Sequence, residues 1–346
     1  MSWKKLFNRK IDLKYFVFEI TPKCNHRCIF CYNVWRHHTY PQGEIDLNAW
    51  ERIIFRLKKE TKIQIASISG GEPLMEPRLF DLLDVLKKYG LKINLITNGS
   101  LIDVETAERL ATYNISNFEI PLLAPDRDVH LSHKGVDDLD MVMEGIVNLK
   151  KAGGRVVTVF VATRHNIHLL PETLDLAVVL GSDGLMFNRI NPASFSQIDL
   201  LPDNQQIKTS LDYLNDFAQK FKFPISCSIP VQPCVVDMDQ YKYISRGYCP
   251  SGNFRSYYTV DFLGNVRICN HSPKILGNLL KEDFGSIIRH DYVQNFKKAL
   301  PKDCGGCELI EKCRGGCKAS SEVCYGDLFC SDPLARQRLQ NRELEK

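Results

Sequence analysis

Phe16-Val-Phe-Glu-Ile20 runs into Thr21-Pro-Lys-Cys24-Asn-His-Arg-Cys28-Ile-Phe-Cys31-Tyr32, an apolar strand-like stretch that ends in a loop of three cysteines spaced Cys-x3-Cys-x2-Cys. A structural zinc site is closed by four protein ligands, whereas an iron-sulfur cubane held by three thiolates keeps one iron open to an outside ligand. Three thiols at a strand end therefore suggest chemistry. The alternative is a zinc knuckle that finds its fourth ligand elsewhere in the chain.

Outward from this loop, helical and strand-like periods alternate. Trp50, Ile53, Ile54 and Leu57 predict a helix over 48–59, capped by Asp46 or Asn48, and 63–68 reads as the next strand. The rhythm continues with helices over 78–89, 104–113, 139–152 and 171–180, and strands over 92–97, 117–122, 155–161 and 184–190. Six strands alternating with helices predict a parallel sheet whose ligand site lies at the strands' carboxyl ends. The cysteine loop, Ser69-Gly70-Gly71-Glu72-Pro73 after the second strand and Thr97-Asn98-Gly99 after the third then share one rim.

The rhythm stops near Pro192. A helix over 206–221, a short strand over 225–229 and the stretch Pro230-Val-Gln-Pro-Cys234 follow, and beyond them 256–260 and 266–268 flank a turn at Leu263-Gly264-Asn265. The end of the chain is dense in cysteine: Cys249, Cys269, Cys304-x2-Cys307-x5-Cys313-x3-Cys317, Cys324 and Cys330.

At 346 residues the chain is long enough for one large α/β unit with an appendage. Its 44% hydrophobic and 25% charged residues are those of a globular protein, and no apolar run approaches the ~20 residues that span a bilayer. A net charge of +4 from 45 basic and 41 acidic side chains is too balanced to make nucleic acid the main partner. Thirteen cysteines without a signal peptide point to metal binding in a reducing cytoplasm, not to disulfides. Trp3, Leu6 and Phe7 among Lys4, Lys5, Arg9 and Lys10 read as a short helix folded onto the body or as a membrane-surface arm.

The three cysteines with Phe30, the Gly-Gly-Glu-Pro loop and Thr97-Asn98-Gly99 resemble the radical S-adenosylmethionine (SAM) enzymes over about residues 14–192. The later cysteines resemble the SPASM extension over about 248–333. The resemblance implies a partial (β/α)6 TIM-like barrel over 1–200, a bridging segment over 201–247, a SPASM domain over 248–335 and a polar tail over 336–346.

It implies that Cys24, Cys28 and Cys31 hold a 4Fe-4S cluster, and that Gly70, Gly71 and Glu72 meet the SAM amino group. Phe30 would pack on the adenine, and Thr97, Asn98, Asn188 and Arg189 would reach SAM or substrate. For Arg189 a salt bridge is the competing role. Two auxiliary 4Fe-4S clusters follow from the same likeness. Cys304, Cys307 and Cys313 with Cys330 or Cys324 would hold the outer one, and Cys249, Cys269 and Cys317, with Cys234 as a candidate fourth, the inner one.

Two features depart from the family's pattern. Pro121-Leu122-Leu123-Ala124 stands where peptide-modifying members carry Ser-Leu-Asp-Gly, so the polar contact of that loop must come from another residue. Asp332-Pro333 is followed by Leu334-Ala335 without the usual last cysteine. Cys227 lies outside both patterns, either a buried apolar cysteine or a hydrogen-atom donor.

The function implied is reductive cleavage of SAM to a 5′-deoxyadenosyl radical, hydrogen abstraction, and oxidative cross-linking, dehydrogenation or epimerisation of a peptide or protein. A small molecule such as an aminocyclitol or sugar is the second substrate class, and a non-catalytic zinc protein the distant third reading. A flavodoxin- or ferredoxin-like donor would supply electrons. With 23 residues ahead of Cys24, leader-peptide recognition would fall to a separate protein or to direct binding.

Overall fold

The computed structural model describes residues 10–247, 249 and 256–337; the N-terminal arm and the end of the polar tail lie outside the described residues. Strands β1 (Tyr15–Glu19), β2 (Ile65–Ser69), β3 (Lys92–Ile96), β4 (Ile115–Pro121), β5 (Val156–Ala162) and β6 (Gly184–Arg189) pair in sequence order, all parallel. Helices α1 (Leu47–Glu60), α2 (Leu79–Lys88), α3 (Val104–Ala111), α4 (Arg127–Lys134), α5 (Leu139–Lys151) and α6 (Leu170–Val179) fill the connections. Among them only α4 is not signalled by apolar periodicity. His130, His133 and Lys134 are its buried residues, so polar contacts hold it where an apolar stripe normally would.

The capping chemistry explains where the helices begin. Asp46 accepts from Ala49 N at 2.7 Å and starts α1. Asp103 and Asp126 do the same for α3 and α4. Helix α7 (Asn204–Phe221) opens with a reciprocal capping box between Asp203 and Gln206.

The bridging segment extends the parallel sheet with β7 (Ile225–Cys227) and β8 (Ile244–Arg246). On the other side, β9 (Tyr258–Val260) pairs parallel with β1, Phe16 opposite Tyr258 and Phe18 opposite Val260. It turns back antiparallel into β10 (Asn265–Arg267), and β11 (Ile275–Asn278) follows. One sheet of eleven strands therefore carries both halves of the chain, and the β9–β10 hairpin covers the edge of β1 that a lone barrel would leave open. Short helices α8 (Phe284–Ile287), α9 (Asp291–Lys298), α10 (Ile310–Cys313) and α11 (Lys318–Tyr325) complete the C-terminal part.

Phe16, Phe18, Ile53, Ile54, Leu57 and Phe284 belong to one continuous core cluster, so β1, α1 and α8 are packed as a unit. Two buried ion pairs tie the halves together: Glu19 at the end of β1 with Arg267 on β10, and Arg189 at the end of β6 with Asp332. Arg267 also donates to the carbonyls of Asn270 at 3.0 Å and Ser272 at 2.9 Å. Burial opposes its charge, yet the Glu19 carboxylate beside it keeps the guanidinium firmly protonated.

Removing one member of a buried pair strands the other charge. Arg267→Ala is expected to lower the unfolding free energy by about 3–5 kcal/mol, whereas Glu19→Leu with Arg267→Met recovers most of that loss. Urea unfolding midpoints of the single and double variants check this.

Candidate active site

Cys24, Cys28 and Cys31 all line one cavity of about 230 Å³ at the carboxyl ends of the parallel strands. Their loop is fixed from α4: Arg27 N donates to the Lys134 carbonyl at 3.0 Å and Ile29 N to the His133 carbonyl at 2.9 Å. Gly135 ends α4 with φ +72°, and a Cβ there would press on Arg27 at 3.3 Å. Burial pushes the bare Cys28 thiol up to about 12. Lys134 pulls it back, and the neighbouring Cys31 and Cys24 push in the same direction as burial.

The thiols therefore act on one another across the cavity. A bound metal reverses this preference by taking the thiolate. Among the described residues no three His, Cys, Asp or Glu side chains are gathered tightly enough for a single ion. The three soft donors spread around one cavity fit the cradle of a cubane.

Lys134, the cation that acts most strongly on Cys28, is fully buried, with Nζ donating to the Asn98 carbonyl at 3.1 Å and lying 3.9 Å from Asp138. Burial lowers its pKa, and the charges of Asp138 and Cys28 oppose that. Asp138 also stands 2.9 Å from His26 Nε2 and 3.2 Å from His130 Nε2. Burial alone would raise this carboxyl, but the two histidines and Lys134 outweigh it and hold the group well below the usual carboxylate range.

Gly70 and Gly71 line the cavity with their backbone. Glu72 does not. It is fully buried, its Oε1 accepts from Thr97 Oγ1 at 2.7 Å and Leu74 N at 3.1 Å, and its Oε2 accepts from Asn98 N at 2.7 Å. The carboxylate holds the loops after β2 and β3 together. Thr97 spends its hydroxyl on the same contact, and Asn98 Nδ2 donates to Asn25 Oδ1 at 2.7 Å, in the cysteine loop.

Phe30 lines the cavity and packs against the second core cluster. Asn188 also lines it, its Oδ1 accepting from Ser228 N and Oγ, both at 2.9 Å. Arg189 borders the cavity too, but its guanidinium is turned to Asp332, the Pro230 carbonyl at 3.2 Å and the Ile190 carbonyl at 3.0 Å. The expectation that it reaches SAM or substrate gives way to a buried tie between β6 and the C-terminal part.

Glu119 on β4 is the site residue that sequence reasoning missed. Its carboxyl faces the cavity beside Ile96, Val159 and Met186, with no hydrogen bond or ion pair among the described residues. Burial alone pushes it up to about 7. The signal was present, since alternation along β4 turns Glu119 and Pro121 to one face, but no motif marked it.

A second cavity of about 560 Å³ lies between the ends of β7 and β8 and the C-terminal part, with Cys227, Cys249 and Cys313 in its wall and Ile229 shared with the first. Cys227 lines this second cavity and not the first, its thiol buried and pushed up to about 12. Its neighbour Ser228 lines the first cavity.

Cys269 is pushed up chiefly by burial, then by the nearby Cys317 and Cys249. Cys304 is pushed up chiefly by burial, then by Cys313, Cys234 and Cys307. Cys324 donates to the carbonyls of Pro192 at 3.6 Å and Ser194 at 3.4 Å, away from the outer set.

The family model of the radical SAM superfamily matches residues 18–177, and that of the SPASM iron-sulfur cluster-binding domain matches residues 249–318. The chain belongs to the radical SAM superfamily and carries a C-terminal SPASM domain. Its cofactors are accordingly SAM, the 4Fe-4S cluster that binds it and auxiliary iron-sulfur clusters. It is 24% identical to the AdoMet-dependent heme synthase of Methanosarcina barkeri, over 92% of this chain and 95% of that one. It is 25% identical to the mycofactocin maturase MftC of Mycobacterium tuberculosis, over 91% and 81%. In fold it is similar to SuiB of Streptococcus suis, solved with its precursor peptide SuiA. The TM-score is 0.73 at 17% identity, over 95% of this chain and 76% of that one. No helix among the described residues is long and apolar enough to cross a membrane.

The Glu119 carboxyl binds an extra proton in the folded state between the ordinary value of 4.5 and about 7. Its contribution to stability is therefore present at low pH and lost as pH rises through that window. Wild-type protein is expected to lose about 1–2 kcal/mol more between pH 5 and pH 8 than Glu119→Gln, less than the full shift because the group borders an open cavity. Denaturant melts of both proteins across pH check the difference.

Proposed function

We propose that this chain is an oxidative maturase of a peptide or protein, working in a reducing cytoplasm. The observation that carries the reading is the large second cavity. It opens between the barrel rim and the SPASM domain, shares Ile229 with the wall of the first cavity, and at about 560 Å³ has room for a side chain and its flanking backbone. The similarity to mycofactocin maturase over most of both chains supports the same substrate class.

When bound, the cluster at Cys24, Cys28 and Cys31 together with SAM supplies hydrogen-atom abstraction. This chain's residues do the rest. Lys134 places a cation beside the thiols, and the Gly70–Gly71 backbone leaves space for close approach. Ile96, Val159 and Met186 exclude water around the reacting C–H, and Glu119 offers the one free carboxyl of that wall among the described residues, able to take a proton near neutral pH. Cys249, Cys269 and Cys317 with the outer set would hold the clusters that accept the electron released in a net oxidation. A flavodoxin- or ferredoxin-like carrier then closes the redox cycle, and a separate leader-binding protein is compatible with this scheme.

A second reading, oxidation of a small molecule, is favoured by the similarity to AdoMet-dependent heme synthase. Assays on a genomically adjacent short peptide and on porphyrin and aminocyclitol substrates separate the two by which one gains product mass change.

Reduced, reconstituted enzyme is expected to form 5′-deoxyadenosine from SAM. Cys28→Ala should abolish that formation, whereas Cys313→Ala should keep uncoupled cleavage and lose product. Chromatography of 5′-deoxyadenosine and mass spectrometry of the peptide read both, and equal wild-type turnover in the two variants would sink the cluster assignments.

A further inference from the structure

The end of β6 and the turn that opens α11 are joined by a closed ring of polar contacts. Asn191 Nδ2 donates to Cys317 Sγ at 3.4 Å. Cys317 N donates to Asp332 Oδ2 at 2.8 Å, the same carboxylate pairs with Arg189, and Arg189 Nη1 donates to Asn191 Oδ1 at 3.4 Å. Arg189, Asn191 and Asp332 are all buried. We propose that Asn191 is a positioning residue for the electron-transfer half of the reaction, whose amide donates to the Cys317 sulfur of the inner auxiliary cluster and raises that cluster's reduction potential. The inference rests on the placing of Cys317 in the inner set.

Donor and acceptor chemistry fixes which way the Asn191 amide faces. A guanidinium carries donors only, so Oδ1 must face Arg189. That leaves Nδ2 on the other side, where its two N–H bonds meet Cys317 Sγ and His271 Nδ1. Arg189 is in turn held by Asp332, by the Pro230 carbonyl at 3.2 Å and by the Ile190 carbonyl at 3.0 Å. Turning it away would strand a buried carboxylate. The Cys317 side is as tightly placed. A Cβ on Gly316, whose φ is +86°, would lie 2.7 Å from Asp332 Cβ, so the turn into Cys317 is pressed against the same carboxylate.

The consequence is electrostatic. A hydrogen bond to a ligating sulfur offsets the negative charge gained on reduction and so favours the reduced cluster. In the net oxidation the substrate-centred radical gives up one electron, the inner cluster gains it, and the proton lost from the substrate passes to Glu119. Asn191 and Arg189 both border the SAM cavity. The barrel therefore supplies the donor, while the SPASM domain supplies the sulfur it acts on.

The test uses the full chain, reconstituted anaerobically in a Cys24→Ala/Cys28→Ala/Cys31→Ala background so that only auxiliary clusters contribute. Redox titrations followed by electron paramagnetic resonance compare the background with two variants. Asn191→Leu keeps the volume and removes the donor, and Asn191→Asp keeps the shape and turns an acceptor to the sulfur. One auxiliary midpoint potential is expected to fall in Asn191→Leu and to fall further in Asn191→Asp, with the other unmoved. In deuterated buffer, the deuteron coupling to that cluster in pulsed spectra should weaken in both.

If the leucine variant fails to fold by circular dichroism, the isosteric aspartate variant carries the comparison. Unchanged potentials, or an equal fall at both clusters, would overturn the proposal. Cys317→Ala in the same background tests the cluster assignment separately. It is expected to lose about half of the bound iron, and full retention would overturn the placing of Cys317 and the proposal with it.

Discussion

Two backbone hydrogen bonds decide where everything at the rim can stand. Gly71 N donates to the Thr21 carbonyl at 2.8 Å and Glu72 N to the Lys23 carbonyl at 2.7 Å, which lays the loop after β2 directly on the chain entering the cysteine loop. The approach is so close that a Cβ on Gly71 would lie 1.9 Å from the Lys23 carbonyl oxygen. No flexible side chain is involved that could yield, since the clash would be with backbone. From there the constraint spreads through Glu72, whose two oxygens hold Leu74, Thr97 and Asn98, and through Asn98 to Asn25 between the first two cysteines. Three loops from three strands thus move as one body, and the three thiols inherit that rigidity. A site that must hold a reactive group against a chosen C–H needs this preorganisation more than it needs any single contact.

The same chain of contacts explains what sequence could and could not reveal. Alternating periods located β1 to β6 and most of the helices, because each depends on local spacing of residues such as Trp50, Ile53 and Leu57. The rim loops were legible because strand order fixes which end they share. Helix α4 was not, because its buried face is made of His130, His133 and Lys134, whose burial is compensated by Asp138, Thr163 and the Asn98 carbonyl respectively, partners that no periodicity can announce. The parallel pairing of β9 with β1 was equally hidden, since it joins residues more than two hundred positions apart.

Glu72 and Arg189 both turn their side chains to partners within the protein. A carboxylate and a guanidinium this deeply buried need full pairing, and the protein supplies it from within: Thr97 and backbone amides for one, Asp332 for the other. Conversely Glu119, which belongs to no motif, is the acidic group left for the cavity. The polar contact missing from Pro121-Leu122-Leu123-Ala124 therefore has a candidate only two residues earlier on the same strand.

The space between the two cysteine systems is bridged by groups adjacent to the ligands themselves. Tyr32 follows Cys31, Asn270 follows Cys269, and Asn270 Nδ2 donates to the Tyr32 hydroxyl at 2.7 Å, while the Tyr32 ring stacks on His271 at 5.4 Å. On the other wall Asn191, two residues beyond Arg189, directs Nδ2 at Cys317 Sγ at 3.4 Å. Asp332 accepts both from Arg189 and, at 2.8 Å, from Cys317 N. Hydrogen bonds to sulfur and nearby charge set the potential of a cluster. Residues at the end of β6, which border the SAM cavity, therefore also tune the inner cluster site. The end of β6 thus reaches Cys317 by two routes, directly from Asn191 and from Arg189 through Asp332.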